Sequence, residues 1–246
     1  FLDYPYFQRL VNAISMAAAQ AGKEVVILPT NYQQGREINY LQELAHNLFD
    51  SLIITSHSLS NKEIAKYGKF GRIVFCEQTD INNASYVTNN RQQTYQRMFK
   101  KLTKWNLHKI GFLFVRPPQE SKTTRETLAA YQAVFHQPAS HSLLTYNCHS
   151  FTDGQEKCQI LLKNNPNIQA IFTESDITAA GAYQVLKERK KTSVMVIGQG
   201  NTPFSQLLAF SSIDQHLKEM GADAVKLALN KEAVSIQKIK FDIHWR

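Results

Sequence analysis

The sequence has few of the features that directly assign a chain to a structural or functional class of proteins. It contains three cysteines in 246 residues and no Cys-x-x-Cys pair, and therefore predicts a protein of a reducing compartment, the cytoplasm, rather than a disulfide framework. No apolar run approaches the roughly 18 residues that a membrane-spanning helix needs, so we expect no membrane partner.

Catalytic and metal-binding motifs are also missing from the sequence. It has no HExxH, no P-loop and no GxSxG, which excludes the best-marked hydrolases and nucleoside triphosphatases. Gly198-Gln199-Gly200 lacks the third glycine and the distal acid of a dinucleotide site, and the histidines and cysteines between residues 136 and 158 lack zinc-ligand spacing. We therefore predict no enzyme activity, no cofactor and no metal.

The composition is typical of a folded protein with a basic balance. Hydrophobic residues make up 43% and charged residues 20%, which is enough to bury a core. The 28 lysines and arginines against 20 acidic residues leave a net charge of +8, which suits an anionic neighbour and ordinary solvated surface charge equally well. The length fits one large domain or two lobes.

Helical and strand-like patterns alternate along the chain and predict an α/β fold. Apolar residues at helical spacing follow Asp3-Tyr4-Pro5, and Val25–Leu28 then predicts a buried parallel strand. The alternation continues to Cys76 and restarts at Tyr95, which predicts two doubly wound parallel-sheet lobes. The polar segment Asp80–Tyr86 lies between the two series and is the predicted first crossing between lobes.

The chain opens with a predicted helix instead of a strand. A doubly wound lobe needs a strand before that helix to seat it on the sheet, because strand–helix–strand crossovers build such sheets. We therefore expect a further strand upstream of Phe1.

Candidate binding residues follow from the ends of the predicted strands. In open α/β sheets, ligands bind beyond the carboxyl ends of the strands, where two facing lobes form a cleft. The strand ends offer aromatic rings, amides, acids and arginines: Asp3–Phe7, Thr30–Asn31, Ser56–His57, Glu77–Gln78, Arg116, Thr123–Arg125, Asn147, Glu174–Asp176 and Gln199–Asn201. This set suits a small polyol, because rings stack on apolar sugar faces and planar polar groups bond to paired hydroxyls. Helix capping is the alternative role of Asp3 and Asp176.

Several segments, in their order and spacing, make the chain similar to the effector-binding core of the lactose-repressor (LacI/GalR) family of bacterial transcription regulators. They are Asp3–Phe7 with Leu10, Val11 and Ile14; Leu107–Phe112; Arg125 with Tyr131; Gln169–Asp176 with Ala179–Ala182; Val196–Gly198; and Ser212–Gln215 with Met220, Gly221 and Ala224. The resemblance covers essentially the whole chain.

The resemblance implies a two-lobed core like that of type I periplasmic binding proteins. The lobes would comprise residues 1–87 with 216–232 and residues 88–215 with 233–246, joined by three crossovers. A helix-turn-helix headpiece and the upstream strand would lie outside this sequence, and a homodimer would read operator DNA through paired headpieces. The effector would be a small molecule, commonly a sugar or sugar phosphate.

The resemblance also implies roles for individual residues. Tyr6 and Phe7 match the aromatic entry of the effector cleft, Asn89 a position that often holds an effector-binding Asp, and Phe151 a position that can stack on the effector. The complete set of candidate effector-binding residues is Tyr6, Phe7, Ser56, Glu77, Asn89, Arg125, Thr127, Phe151, Phe172, Ser175, Asp176, Gln199, Asn201 and Gln215.

Two positions depart from the family pattern. The family's effector-gripping Arg corresponds to Thr127, and Arg125, two residues earlier, is a candidate substitute. The acid that often follows the Gly-aromatic pair is also replaced, with Gln199 or Asn201 as candidate neutral partners. The familiar effectors of the family, galactosides and purines, are therefore not assumed.

The predicted function is that of a sugar-responsive transcriptional regulator, a repressor in which effector binding changes the angle between lobes and so controls operator binding. An extracytoplasmic solute-binding protein that delivers a sugar to a transporter is the alternative from the same fold, and a signal segment instead of a helix-turn-helix upstream would favour it. An α/β enzyme is a third hypothesis, which lacks a nucleophile–base constellation in this sequence.

Overall fold

The computed structural model describes residues 4–77, 79–81, 84–230 and 234–246. The chain forms two compact units and passes between them three times. Unit 1 comprises Phe1–Asn89 and His216–Lys240, and unit 2 comprises Asn90–Gln215 and Phe241–Arg246. The predicted α/β fold with two parallel-sheet lobes is confirmed.

Unit 1 is built on a parallel sheet whose strands have the order β1-β2-β3-β9. Its strands are β1 Ser51–Ile54, β2 Arg72–Phe75, β3 Ser85–Asn89 and β9 Ile236–Ile239, and its helices are α1 Pro5–Gln20, α2 Gln34–Ala45, α3 Asn61–Ala65 and α9 Leu217–Leu229. Apolar residues of α1 and α9 form one core cluster with the sheet, and apolar residues of α2 and α3 form another.

Unit 2 has a sheet with the strand order β10-β8-β7-β6-β4-β5. Its strands are β4 Ile110–Leu113, β5 Leu144–Thr145, β6 Ala170–Thr173, β7 Met195–Gln199, β8 Ser211–Asp214 and β10 Asp242–His244, and its helices are α4 Arg91–Lys104, α5 Lys122–Phe135, α6 Phe151–Asn164, α7 Asp176–Glu188 and α8 Pro203–Leu207. A short 3-10 helix, His141–Leu143, precedes β5. The edge strand β10 runs antiparallel to β8, in an otherwise parallel sheet.

Four helices of unit 2, α4 to α7, begin at side chains that cap their free amide groups. Ser121 accepts from the amide of Thr124 at the start of α5, and Ser150 forms a capping box with Asp153 at the start of α6. α6 and α7 then pack closely, because a Cβ at Gly181 would lie 2.1 Å from the carbonyl oxygen of Phe151. Local sequence thus sets the helix ends, and glycine sets the spacing of this helix pair.

The predicted strand at Val25–Leu28 is wrong, because residues 23–30 are assigned to no strand in the structure. Val26 is 65% exposed and Ile27 is 48% exposed, so the run is not buried either. A strand forms only by pairing with a neighbour, and no described residue pairs with this segment.

The predicted first crossing at residues 80–86 is also wrong. Ser85–Asn89 forms β3, which pairs with β2 through Val74 and Ser85, so the chain stays in unit 1 until Asn89. Likewise, β9 pairs with β3 and keeps the chain in unit 1 until Lys240, whereas the sequence had placed residues 233–246 in the second lobe. β9 gives little sequence signal for a strand, because it is short and mostly exposed and its partner β3 is distant in sequence.

Candidate functional site

The polar residues of unit 2 collect at the carboxyl edge of its sheet. Four neighbouring parallel strands, β4, β6, β7 and β8, end at this edge, and polar or charged residues follow each of them. The chain continues from β4 to β5 on one side and then returns to β6 on the other side. The gap between the ends of β4 and β6 is therefore a topological switch point, where open α/β sheets bind their ligands.

Glu174 lies at this switch point. Its Oε2 accepts a hydrogen bond of 2.7 Å from the amide of Val115, so the side chain joins the residue after β6 to the segment after β4. Burial raises the pKa of Glu174 to about 7, and the bond from Val115 and the positive charges of Arg91 and Arg116 oppose that rise. Glu174 thus changes charge near neutral pH at the centre of the edge.

Two further charged side chains from helices stand near Glu174. Arg91, the first residue of α4, donates a hydrogen bond of 2.9 Å from Nη1 to Oε2 of Glu126 on α5. Both side chains are largely buried, at 15% and 27% exposure, which strengthens their attraction relative to a surface pair. The pair holds the guanidinium beside the switch point.

Gln199 is the centre of a buried network at the end of β7. Its Oε1 accepts a hydrogen bond of 3.0 Å from the hydroxyl of Tyr95 and a longer one of 3.4 Å from Nε2 of Gln215. Its own amide donates at 3.4 Å to the carbonyl oxygen of Thr173. Both Gln199 and Gln215 are buried, so their amides link β6, β7, β8 and α4.

Ser175 and Asp176 are fully engaged in holding unit 2 together. Ser175 caps α7 by accepting from the amide of Thr178. Asp176 is 1% exposed and accepts hydrogen bonds from the amide of Thr202 at 2.6 Å, from the Thr202 hydroxyl at 2.9 Å and from the Ser212 hydroxyl at 2.6 Å. These contacts favour a structural role for both residues over direct contact with a ligand.

Asn201 occupies a left-handed backbone position with φ of 47° after β7. Its side chain donates to Asp214 at 3.1 Å and accepts from Arg246 at 2.7 Å. Its amide donates to the Ser212 hydroxyl at 2.9 Å. Asn201 thereby ties the C-terminal residue to the ends of β7 and β8.

The remaining candidates of unit 2 bond to backbone carbonyl oxygens or lie in the core. Arg125 is exposed on α5 and donates to the carbonyl oxygens of Pro118 and Gln119, and Thr127 is completely buried with its hydroxyl bonded to the carbonyl oxygen of Thr123. Thr127 therefore presents no exposed group, whereas Arg125 contacts the backbone of the segment that follows β4. Two aromatic candidates were Phe151, which packs against the α6–α7 core cluster, and Phe172, which is fully buried in β6.

In unit 1 the candidates gather near the start of α1 and the carboxyl ends of β1–β3. The rings of Tyr6 and Phe7 meet edge to face at 5.2 Å, and the Tyr6 hydroxyl lies 3.8 Å from the sulfur of Met220. Ser56 follows β1 and is half-buried, as is Asn89 at the end of β3. Their half-buried state leaves part of each residue accessible.

Glu77 lies after β2 and faces an imidazole. Its Oε1 is 3.5 Å from Nε2 of His57, whose Nδ1 lies 2.8 Å from the carbonyl oxygen of Leu59. The ring of His57 also meets Phe75 edge to face. This pair of side chains lies beyond the carboxyl ends of β1 and β2 in unit 1.

Two predicted strand-end residues, Asp3 and Gln78, lie outside the described residues.

Unit 1 also contains a long groove of about 540 Å³. It runs beside β1, between that strand and the extended segment 23–32, under one face of α1. Apolar residues dominate this lining, with Phe7, Val11 and Ile14 of α1 above it and Leu52 and Ile54 of β1 at its side. The groove follows the strand instead of closing around a small polar ligand, and most effector candidates lie elsewhere.

Sequence reasoning missed the charged partners at the switch point. Glu174 was recognised only as one of many strand-end residues, and Arg91, Glu126 and Tyr95 were not candidates. Arg91 and Glu126 are 35 positions apart, so no local motif links them. The signal that could have found them is the order of strands, which places α4 and α5 beside the ends of β4 and β6.

Comparison with known proteins identifies the class to which this fold and edge belong. Residues 2–237 match the family described as periplasmic binding proteins and sugar binding domain of the LacI family. The chain therefore belongs to this family, as its resemblance had predicted.

Individual relatives agree with that assignment. The chain is 32% identical over 237 residues to catabolite control protein B of Bacillus subtilis, a match that covers 96% of this chain and 76% of the relative. It is 33% identical over 82 residues to the ribose import binding protein of Salmonella typhimurium, covering 31% of this chain and 28% of that protein.

A solved structure agrees in fold. A LacI family transcriptional regulator from Lactobacillus casei, with bound sucrose, superposes with a TM-score of 0.87 at 18% identity, covering 100% of this chain and 96% of that chain. This likeness defines the fold as that of the type I periplasmic binding proteins.

Membrane-spanning helices and metal-binding clusters are both absent from the part of the chain that the structure describes. None of its helices combines the length and hydrophobicity that crossing a membrane requires. Nor do three or more His, Cys, Asp or Glu side chains among those residues group in a way that could hold a metal ion.

Proposed function

We propose that this chain is the effector-binding core of a sugar-responsive transcription regulator that acts as a repressor in the cytoplasm. The observation that carries the proposal is the charged and amide-lined edge at the switch point of unit 2, in a chain that belongs to the LacI family. Gln199, Glu174 and Arg91 supply acceptors and donors of the kinds that bind sugar hydroxyls.

The relatives favour a regulator over a solute-binding protein. The match to a control protein covers 96% of this chain, whereas the match to a ribose import protein covers 31%. The sequence has none of the marked hydrolase or nucleotide-binding motifs, and the relatives support a binding role over an enzyme.

Isothermal titration of the full-length protein with glucose, sucrose and ribose tests effector binding. We expect saturable binding of at least one sugar, together with a rise in melting temperature, because a ligand that binds only the folded state stabilises it. An operator gel shift with and without that sugar tests the regulatory part. Absence of both sugar and DNA binding in folded full-length protein would overturn the proposal.

The predicted switching mechanism, a change of angle between lobes that controls operator binding by a homodimer, stays a prediction. It requires the effector to bind two states unequally, and a coupling of roughly 1–3 kcal/mol is typical of such systems. Measurement of operator affinity with saturating sugar gives this coupling directly.

We also propose that a strand of the longer protein, upstream of α1, fills the groove of unit 1. The groove lies beside the open edge of β1 and under Phe7, Val11 and Ile14 of α1, where a strand leading into α1 would lie. Such a strand would pair with β1 on one side and with residues 24–28 on the other, which would explain the apolar character of that exposed segment.

A further inference from the structure

A mixed cluster of charges surrounds the switch point of unit 2, and we call Arg91, Arg116, Thr124, Glu126 and Glu174 the switch-point cluster. Glu174 bonds to the amide of Val115 and interacts with the other cluster members Arg91, Arg116 and Thr124. Arg91 bonds to Glu126. The cluster draws on α4, α5 and the segments after β4 and β6, so it is a product of the tertiary fold.

The charges of the cluster are balanced at pH values above the pKa of Glu174, which is about 7. Two guanidinium groups, of Arg91 and Arg116, stand against two carboxylates, of Glu126 and Glu174. Arg91 is already engaged by Glu126 at 2.9 Å in a largely buried pair. A site for a phosphate ester would instead need an excess of positive charge directed at the anion.

We infer that Glu174 determines the specificity of the proposed effector site, so that the site admits a neutral sugar and excludes the phosphate ester of the same sugar. This inference rests on the proposed function and narrows its effector class. A neutral sugar can donate hydroxyl protons to the carboxylate and accept from the guanidinium groups, leaving the charge balance intact. A phosphate dianion meets two carboxylates, and like charges placed together in an interface cost binding free energy.

Isothermal titration of the full-length protein with matched pairs of ligands tests this inference. The pairs are glucose and glucose 6-phosphate, sucrose and sucrose 6-phosphate, and ribose and ribose 5-phosphate. For the pair that contains the effector, we expect the ester to bind at least about tenfold more weakly than the parent sugar. In Glu174→Gln, which can still accept from the amide of Val115, we expect this ratio to fall by about tenfold.

Glu156→Gln is the matched control, because Glu156 is exposed on α6 of the same unit. It removes the same charge and should leave the ratio unchanged. An ester that binds wild type as tightly as its parent sugar, or an unchanged ratio in Glu174→Gln, would overturn the inference alone. Wild type that binds none of the six ligands would overturn this inference, and the proposed function would fall with it if operator binding were absent as well.

The pH dependence of the ratio gives a second readout. Glu174 interacts with Arg91 and Tyr95 of α4, Arg116 after β4, Thr124 of α5 and Cys148 after β5. Glu126 of α5 carries the remaining nearby charge and is paired with Arg91. Since its pKa lies near 7, the preference for the neutral sugar should grow more between pH 6 and pH 8 in wild type than in Glu174→Gln. The variant corrects for ionisation of the ester itself, and equal growth in both proteins would contradict the role of Glu174.

Discussion

At the scale of single residues, two acidic side chains that follow the same strand, β6, have different roles. Asp176 is enclosed by donors from Thr202 and Ser212, which fix three segments of unit 2 to one another. Glu174 lies two residues earlier and has a pKa raised to about 7 by burial. The surroundings of each carboxylate therefore set its role more than its position after a strand does.

Replacement of Asp176 should therefore destabilise the protein strongly. Asp176→Ala leaves the amide and hydroxyl of Thr202 and the hydroxyl of Ser212 without their acceptor, and we expect a loss of about 3–5 kcal/mol in the free energy of unfolding. Urea denaturation followed by circular dichroism measures it. Asp50→Ala is the control, because Asp50 is 88% exposed and its ion pair with Lys23 should contribute about 0–1 kcal/mol. Equal losses would refute the structural role of Asp176.

Replacement of Glu174 should change the dependence of stability on pH. The folded-state pKa of Glu174 is raised above its ordinary value of 4.5 to about 7, so the native state holds this proton more tightly than the unfolded state. The stabilising effect of the proton is present below pH 4.5 and is lost as pH rises to 7. Glu174→Gln should thus be more stable than wild type by about 1–3 kcal/mol at pH 8, with a smaller difference at pH 5. Thermal unfolding at both pH values would show it, and a pH-independent difference would contradict it.

At the scale of elements, close packing of helices depends on glycine at particular positions. Gly154 of α6 and Gly181 of α7 face each other's helix, since a Cβ at Gly154 would lie 2.2 Å from the carbonyl oxygen of Thr178. The neighbouring atoms are backbone atoms, which cannot turn aside as a flexible side chain can. α6 and α7 together carry one of the two core clusters of unit 2, so their spacing matters to the whole unit.

Alanine at these glycines should separate the two helices. We expect Gly181→Ala to destabilise the protein by about 2–4 kcal/mol because of overpacking. Gly35→Ala in α2 is the matched control, since nothing lies within 4 Å of the added Cβ and alanine favours helix by up to about 1 kcal/mol. Chemical denaturation of both variants provides the comparison, and a stabilised Gly181→Ala would show that the packing is looser than described.

At the scale of the whole molecule, the apolar groove of unit 1 leads us to predict slower amide exchange around it in a longer form of the protein. If an upstream strand fills the groove, it will form backbone hydrogen bonds with β1 and with residues 24–28. The backbone amide hydrogens of β1 and of residues 24–28 will then exchange with solvent more slowly than they do in the chain that starts at Phe1. Hydrogen exchange of both forms measures this change. Amides of β6 in unit 2 serve as the internal reference, and equal exchange at β1 in both forms would reject the strand.

Local patterns were sufficient for much of the fold. Periodicity predicted an alternation of helices and strands, and α5, α6, α7 and α9 agree with it because each buries an apolar stripe and several start at a side-chain cap. It failed for Val25–Leu28 and for β9, where the strand state depends on a partner distant in sequence. The intrinsic strand propensity of a segment does not indicate which other segment it pairs with.

The sequence by itself determined the α/β class, the family and the residues that follow most strands, since all of these depend on local spacing and on the order of motifs. Only the tertiary structure decided that Asp176 and Thr127 are bonded within unit 2 and that Arg91, Glu126 and Glu174 surround the switch point. The reason is physical. The direction of a side chain and the charge it carries depend on donors, acceptors and burial contributed by segments tens of residues away, which no local pattern records.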